Sequence, residues 1–152
     1  MLILPLLVLG WLSLFAAAKL LPETEGCVTI VYTAVGFISF SGSRDVGRWQ
    51  TTCLNPLKVV SIYAASEVFC DEGERVAGLA SLDDLCRRYV DAALLPREQF
   101  AVNLTEDAIR EMRVVEYLEI PNSEPVESPV LISERYYGQV SRTLVSGAES
   151  RE

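Results

Sequence analysis

The chain has 152 residues, 21 of them acidic and 13 basic, which gives a formal net charge of −8, and it contains no histidine. The acidic balance argues against binding to nucleic acid, because contact with phosphates needs a basic face. The absence of histidine excludes Ser-His-Asp and Cys-His catalytic sets and imidazole metal ligands.

The N-terminal segment 1–18, MLILPLLVLGWLSLFAAA, carries no charge and ends in three alanines before Lys19. A membrane-spanning helix needs roughly 20 apolar residues, whereas this run is shorter and contains Pro5 and Gly10. We therefore expect a cleaved signal peptide over 1–18 rather than an anchor. The remaining chain is long enough for one domain with its own core.

The cysteines and one sequon support the same compartment. Cysteines stand at positions 27, 53, 70 and 86, and an even number in an exported chain predicts two disulfides. Their spacing does not resemble the C-x-x-C pattern of zinc ligands. Asn103-Leu104-Thr105 is an N-glycosylation sequon. Together with the leader, these features predict an exported protein.

The first segments after the leader are predicted from composition. CVTIVYTAVGFISF (27–40) is rich in β-branched and aromatic residues, which favours a short strand, although a buried apolar run of this kind is also compatible with a helix. SGSRDVGRWQTT (41–52) is predicted to be a surface loop punctuated by Gly42 and Gly47. It lacks the residue order of a phosphate-binding loop.

A helix is predicted over 55–70. Asn55 is a good N-cap and Pro56 suits the first helical position. The segment is apolar over most of its circumference, with a weak face formed by Lys58, Ser61 and Ala65. Such a helix is typical of the middle of a domain.

A charged corner, DEGER (71–75), is predicted to turn the chain into a second helix over 75–95 that Pro96 stops. We interpret the corner as a solvated turn rather than a cation site. Ser81–Asp84 has the composition of a capping box and could restart the helix there. The predicted apolar stripe of this helix consists of Val76, Leu79, Cys86, Tyr89, Val90 and Ala93.

Helix geometry limits the disulfide pairing. If 55–70 is one helix, Cys53 and Cys70 lie about 25 Å apart at the rise of an α-helix, too far for a disulfide. Two pairings remain: Cys27–Cys53 with Cys70–Cys86, or Cys27–Cys70 with Cys53–Cys86. An antiparallel helical hairpin turning at 71–75 carries Cys86 back towards Cys53, so it favours the second pairing.

The C-terminal third is predicted to continue in helices and loops. Thr105 is an N-cap for a third helix with Ile109 and Met112 facing inward, and 114–120 fits either its continuation or a strand. The proline-rich segment 121–130 is predicted to be an extended connector. Residues 131–152 are predicted to form a helix and a frayed tail, SGAESRE, with a stripe of Ile132, Tyr136, Val140 and Leu144. Tyr136-Tyr137 fits core packing or an interface equally well.

The fold class predicted is therefore mainly α: a small disulfide-stabilised helical domain over 19–120, with a helical hairpin and long loops, followed by the connector and the C-terminal helix. Several long stretches of this sequence resemble the extracytoplasmic N-terminal region of filamentous-fungal ferric reductases, over residues 25 to 140. The stretches are CVTIVYTAVGFISFSGS, Trp49, CLNPLKVVSIYAASEVFC, LCRRY, LLPREQFAVNLTEDAIREMRVVEYLEIPNSEPV and PVLISERYYG.

The resemblance implies a link to iron reduction and uptake without catalysis by this chain alone. Members of that family are plasma-membrane flavocytochromes related to NADPH oxidases, in which paired histidines hold haem and a further module binds FAD and NADPH. None of those cofactor-binding residues has a counterpart in this sequence, so no cofactor is expected here. What the resemblance carries over is disulfides at Cys27, Cys53, Cys70 and Cys86, and a glycan on Asn103.

Two hypotheses follow from the sequence. The first is an extracytoplasmic domain of ferric-chelate reductase type, whose partners would be the membrane portion of a reductase, the plasma membrane or a ferric chelate. The second is a secreted disulfide-stabilised binding protein without redox activity. A secreted hydrolase is a poorer third hypothesis, because the sequence singles out no catalytic set among its acidic residues.

Overall fold

A computed structural model describes residues 23–122 and 124–149. The signal peptide predicted over 1–18 and the last three residues of the predicted tail lie outside these ranges. The helices are α1 (Glu23–Gly36), α2 (Arg48–Leu54), α3 (Pro56–Phe69), α4 (Glu72–Val90), α5 (Glu106–Arg110) and α6 (Glu134–Glu149). Two 3₁₀ segments cover Arg97–Asn103 and Tyr117–Asn122, and two short strands are β1 (Arg113–Val115) and β2 (Val130–Ile132). The predicted class, a mainly helical domain with two disulfides, is confirmed.

The strand predicted over 27–40 is wrong, because most of this segment belongs to helix α1. Val28, Val31 and Val35 are completely buried, and α1 packs against α3, α4 and α6. Burial of apolar side chains against these neighbours stabilises the helix by more than the low helix propensity of its β-branched residues destabilises it. Beyond α1 the chain becomes extended, and Phe40 forms an isolated parallel bridge with Val126.

The loop predicted over 41–52 ends earlier than expected. Gly42 has a φ of +79°, in the left-handed region that glycine adopts without a steric penalty, so the predicted turn is present. From Arg48 onwards, however, the chain forms α2, in which Thr51, Thr52 and Cys53 are buried. Burial of that face and the disulfide at Cys53 stabilise a helix that composition alone does not indicate.

Helix α3 begins as predicted. The side chain of Asn55 accepts a hydrogen bond from the Lys58 amide at 3.1 Å, and Pro56 occupies the first turn. The predicted weak face is wrong: every residue from Lys58 to Ser66 is buried. This helix therefore has no solvent-facing side along its centre.

Helix α4 is a single helix that starts earlier and ends earlier than predicted. Asp71 and Glu74 form a reciprocal capping box, with the Glu74 amide 2.8 Å from Asp71 Oδ1 and the Asp71 amide 3.0 Å from Glu74 Oε2. The box predicted at 81–84 is absent; Asp83 instead accepts hydrogen bonds from Arg87 and from the amide of Leu94. The helix ends at Val90, before a left-handed Asp91, rather than at Pro96.

The predicted apolar stripe of α4 is half right: Cys86 is buried and Leu79 and Val90 pack against the core, whereas the other three residues do not fit it. Val76 and Tyr89 are 64 % and 55 % exposed, and Ala93 lies beyond the helix. The buried residues are Gly78, Leu82 and Cys86, spaced by four, and they face α1 and α2 rather than α3. The hairpin direction is as predicted, since Cys86 returns to Cys53, but α1 and α2 take most of the contacts expected between α3 and α4.

The C-terminal third joins the same core. Thr105 caps α5 as predicted, accepting from the Ala108 amide at 3.2 Å, and Ile109 and Met112 pack against the core. Strand β1 pairs in parallel with β2, with Val115 opposite Ile132, so the predicted C-terminal helix begins at Glu134 rather than 131. Helix α6 packs on α1 and continues to Glu149, into the segment predicted to be frayed. The connector therefore does not separate an independent unit.

Candidate functional site

The two disulfides have the pairing that the hairpin geometry favours. Cys27 is bonded to Cys70 and Cys53 to Cys86, each with a Cα–Cα distance of 5.7 Å. All four cysteines are buried, and Cys53 and Cys86 have no exposed surface. The bonds tie the start of α1 to the end of α3, and α2 to α4. No thiol is free in this part of the chain, so these cysteines offer no nucleophile.

The adjacent tyrosines Tyr136 and Tyr137 belong to this core. Tyr136 is fully buried, and its hydroxyl donates to the carbonyl oxygen of Ala34 at 2.6 Å; burial raises its pKa above the ordinary range. The Tyr137 ring stacks on Phe69 with centroids 4.6 Å apart, and its hydroxyl lies 3.3 Å from Cys27 Sγ. Of the two interpretations left open by the sequence, core packing describes this pair.

Asn103 lies on the surface, at the end of the 3₁₀ segment Arg97–Asn103. The hydroxyl of Thr105, the third residue of the sequon, accepts the α5 capping hydrogen bond in the folded chain. An exposed asparagine at the end of an element has room for a glycan. Modification of Asn103 remains a prediction.

The acidic corner has a structural explanation. Asp71 and Glu74 cap α4, while Glu67 at the end of α3 accepts ion pairs from Arg75 and Arg97 at 3.3 and 2.7 Å. Within residues 23–122 and 124–149, no three His, Cys, Asp or Glu side chains cluster in a way that could hold a metal ion.

Lys58 is a buried cation that the sequence analysis did not single out as functional. It is 4 % exposed, and its ammonium has one distant partner, Thr51 Oγ1, at 3.5 Å. Burial, and secondarily the charge of Arg48, lowers its pKa to about 8. Its position inside an otherwise apolar predicted helix was the sequence feature that could have indicated a buried cation.

The described residues form an apolar groove with a volume of about 560 Å³. It lies between the end of α1, the 3₁₀ segment Tyr117–Asn122 and the second half of α6. The apolar lining comes from Phe37, Tyr117, Val140 and Leu144, and the polar lining from Thr33, Gln139, Arg142, Thr143 and Ser146. Its volume is in the range of small-molecule sites. The sequence analysis missed the groove, because its walls come from three distant segments.

Two findings complete the description of the site. Among the residues that the structure describes, no helix is both long and apolar enough to cross a bilayer. In comparisons with known proteins, no family model, no curated protein and no solved structure matches this chain.

Proposed function

We propose that this chain is an exported, disulfide-stabilised domain that binds a partner or ligand and does not catalyse a reaction by itself. The observation that carries the proposal is the pair of buried disulfides, Cys27–Cys70 and Cys53–Cys86. Structural disulfides persist in oxidising compartments and are rare in the cytosol. The leader-like segment 1–18 and the exposed Asn103 of the sequon support the same compartment.

A binding role is supported by what the chain offers for chemistry. It contains no histidine, its described cysteines are oxidised, and the polar groups that the described residues bring to the apolar groove are hydroxyls, an amide and one guanidinium rather than carboxylates. General acid–base catalysis needs a group that exchanges protons near neutral pH, and the described lining of the groove includes no histidine, cysteine or carboxylate. Recognition needs only shape and a few polar groups, which it has.

The narrower assignment is an extracytoplasmic domain of ferric-chelate reductase type, in the plasma membrane or beside it. Its support is the resemblance over residues 25 to 140. Haem, FAD and NADPH would belong to the full-length family members. In this assignment the purified chain does not reduce ferric chelates. The redox groups that its sequence supplies are disulfides, which are already oxidised and have no electrons to give to ferric iron.

The export proposal is tested by expressing the full chain in a eukaryotic secretory host. We expect a protein in the medium that begins at Lys19, gives non-reduced peptides linked as Cys27–Cys70 and Cys53–Cys86, and loses mass on deglycosylation. The Asn103→Gln variant is the matched control, since it should be secreted without the glycan. Recovery of the wild-type protein in the cytosol with four reduced cysteines would contradict the proposal.

The iron-related assignment is tested by sequencing the transcript beyond codon 152. We expect the reading frame to continue, or to resume after an intron, into apolar helices that carry histidines. A stop codon with no such exon would instead favour the secreted binding protein. In parallel, the purified domain with NADPH should reduce a ferric chelate no faster than buffer does.

A further inference from the structure

The groove described above has a closed floor and an open apolar rim. The lining residue Val140 is buried, and the lining residue Tyr117 contacts the fully buried ring of Tyr136, with ring centroids 5.5 Å apart. At the rim, Phe37 is 58 % exposed and Leu144 is 38 % exposed. Exposed apolar side chains around a concave surface indicate a place where an apolar group of a ligand is removed from water.

Of the described side chains that line this groove, one is charged. Arg142 is exposed on α6, and its guanidinium extends back over Gly138, with Nη1 3.8 Å from the point that a Cβ on Gly138 would occupy. It forms no ion pair with any residue whose side chain the structure describes. Among the residues that the structure describes, no acidic side chain lines the groove, although the chain has a net charge of −8. The local charge therefore selects for an anion.

A side-chain amide beside Arg142 suits the head of such an anion. Gln139 and Thr143 lie on the same face of α6, one turn apart, and line the groove with it. Thr143 donates its hydroxyl proton to the Gln139 carbonyl at 3.0 Å, so it has no proton left for a carboxylate, which only accepts hydrogen bonds. The side-chain amide of Gln139 is the additional donor among these lining residues. A guanidinium binds a carboxylate through two parallel N–H···O hydrogen bonds.

We propose that the groove between α1 and α6 binds a single-chain amphipathic carboxylate of the fatty-acid type. Its alkyl chain lies over Val140, between Phe37, Tyr117 and Leu144, and its carboxylate binds Arg142. The inference rests on the proposed binding role, but it requires neither iron nor a particular location of the chain.

The direct test is titration of the oxidised, purified domain with laurate below its micelle-forming concentration, by calorimetry or by displacement of a dansyl-labelled fatty acid. We expect saturable binding of one laurate per chain. Affinity should rise about two- to four-fold per methylene from octanoate to laurate, because each added methylene is removed from water.

Two pairs of variants on α6 distinguish the site from general surface effects. Arg142→Gln should weaken laurate binding about ten-fold, the value of one charge-assisted hydrogen bond, and leave dodecanol binding unchanged. Arg135→Gln removes the same charge from an exposed position outside the groove, and should change neither. Leu144→Asn should weaken both ligands, whereas Val145→Asn, outside the groove and 59 % exposed, should weaken neither.

Three results would overturn the proposal: no saturable laurate binding, equal loss of affinity in the two arginine variants, or binding to phosphatidylglycerol vesicles without binding of monomeric laurate. The last result would identify a membrane surface as the partner. Because all four replaced side chains are at least partly exposed, each variant should keep the thermal midpoint of the wild type. Failure of this inference would leave secretion and the disulfide pattern unaffected, so it is distinguishable from failure of the proposed function.

Discussion

Helices α3 and α6 both pack against α1, yet they relate to solvent in opposite ways. α3 is buried from Lys58 to Ser66, so its polar atoms must find partners inside the protein. α6 buries Tyr136 and Val140 and leaves most of its second half exposed. The comparison predicts a division of roles: substitutions in α3 should affect the stability of the domain most, whereas α6 presents the exposed surface on which the proposed binding groove lies.

The disulfides sharpen this contrast, since they bracket α3 and neither involves α6. Replacing both cysteines of either pair with alanine should lower the free energy of unfolding by about 4 kcal/mol, from the loop-closure entropy of a 33- or 43-residue separation. Urea denaturation of the two double variants measures the loss. A loss below about 1 kcal/mol for both would show that α3 is stable without its covalent restraints.

Truncation of a large side chain in each helix gives the next largest effect. Ile62 of α3 is 1 % exposed, so Ile62→Ala removes buried methylenes and leaves a cavity, at a cost of about 3 kcal/mol. Leu144→Ala on α6 should cost less than about 0.5 kcal/mol, because the side chain already contacts water. Equal losses in urea denaturation would contradict the division of roles between the two helices.

The same contrast explains which features were predictable from the sequence. The start of α3 depends on Asn55 and Pro56, and the start of α5 on Thr105, so contiguous residues contain the whole signal. The capping box of α4 is equally local, but Asp71 and Glu74 lie in a charged segment that was interpreted as a turn. Helix caps formed by neighbouring residues are thus visible in the sequence, even where the segment that contains them was assigned to a turn.

Features that depend on distant contacts were not predictable in this way. α1 is helical because α3, α4 and α6 surround it, whereas its own residues favour a strand. The α6 stripe was predicted as Ile132, Tyr136, Val140 and Leu144, but Ile132 pairs in β2 and Leu144 forms the groove rim. The groove itself needs Phe37 and Tyr117, which are 80 positions apart in the sequence, so no local pattern indicates it.

Lys58 provides a pH-dependent test of the burial of α3. Its pKa falls from 10.5 to about 8 on folding, through burial and then the charge of Arg48. Between these values the unfolded lysine holds its proton while the folded one has lost it, so stability rises with pH. Below pH 8 both states are protonated and the cost of burying the charge is constant.

Urea denaturation between pH 7 and pH 9.5 should therefore show a gain of about 2 kcal/mol for the wild type. Lys58→Met should lack this gain, while the exposed-site control Arg135→Met should keep it. The range stops below pH 10 because of Tyr63, whose pKa is raised to about 12 in the folded protein by burial and by Glu98. Above pH 10 the tyrosine ionises in the unfolded chain but not in the folded one, so the free energy of unfolding falls as the pH rises. A wild-type profile that is flat over this range would show that the Lys58 ammonium is solvated.

The smallest predicted difference lies within α3, between two buried serines. Ser61 Oγ donates to the Leu57 carbonyl at 2.8 Å and accepts from the Val130 amide at 2.9 Å, which joins the helix to β2. Ser66 Oγ is also buried but has no hydrogen-bond partner among the described residues. Ser61→Ala should cost about 1 to 2 kcal/mol, since the Val130 amide loses its partner.

Ser66→Ala should be neutral or stabilising by up to about 1 kcal/mol, because it removes a desolvated hydroxyl that gains nothing in return. The two changes delete the same atom from the same buried helix, so the difference between their urea midpoints isolates the hydrogen bond to β2. Equal destabilisation would mean that packing around α3, rather than satisfaction of its polar groups, controls its stability. A larger loss of stability for Ser61→Ala than for Ser66→Ala would show that the hydrogen bond between Ser61 and β2 stabilises the buried helix α3. On the exposed half of α6, water can take the place of such a bond.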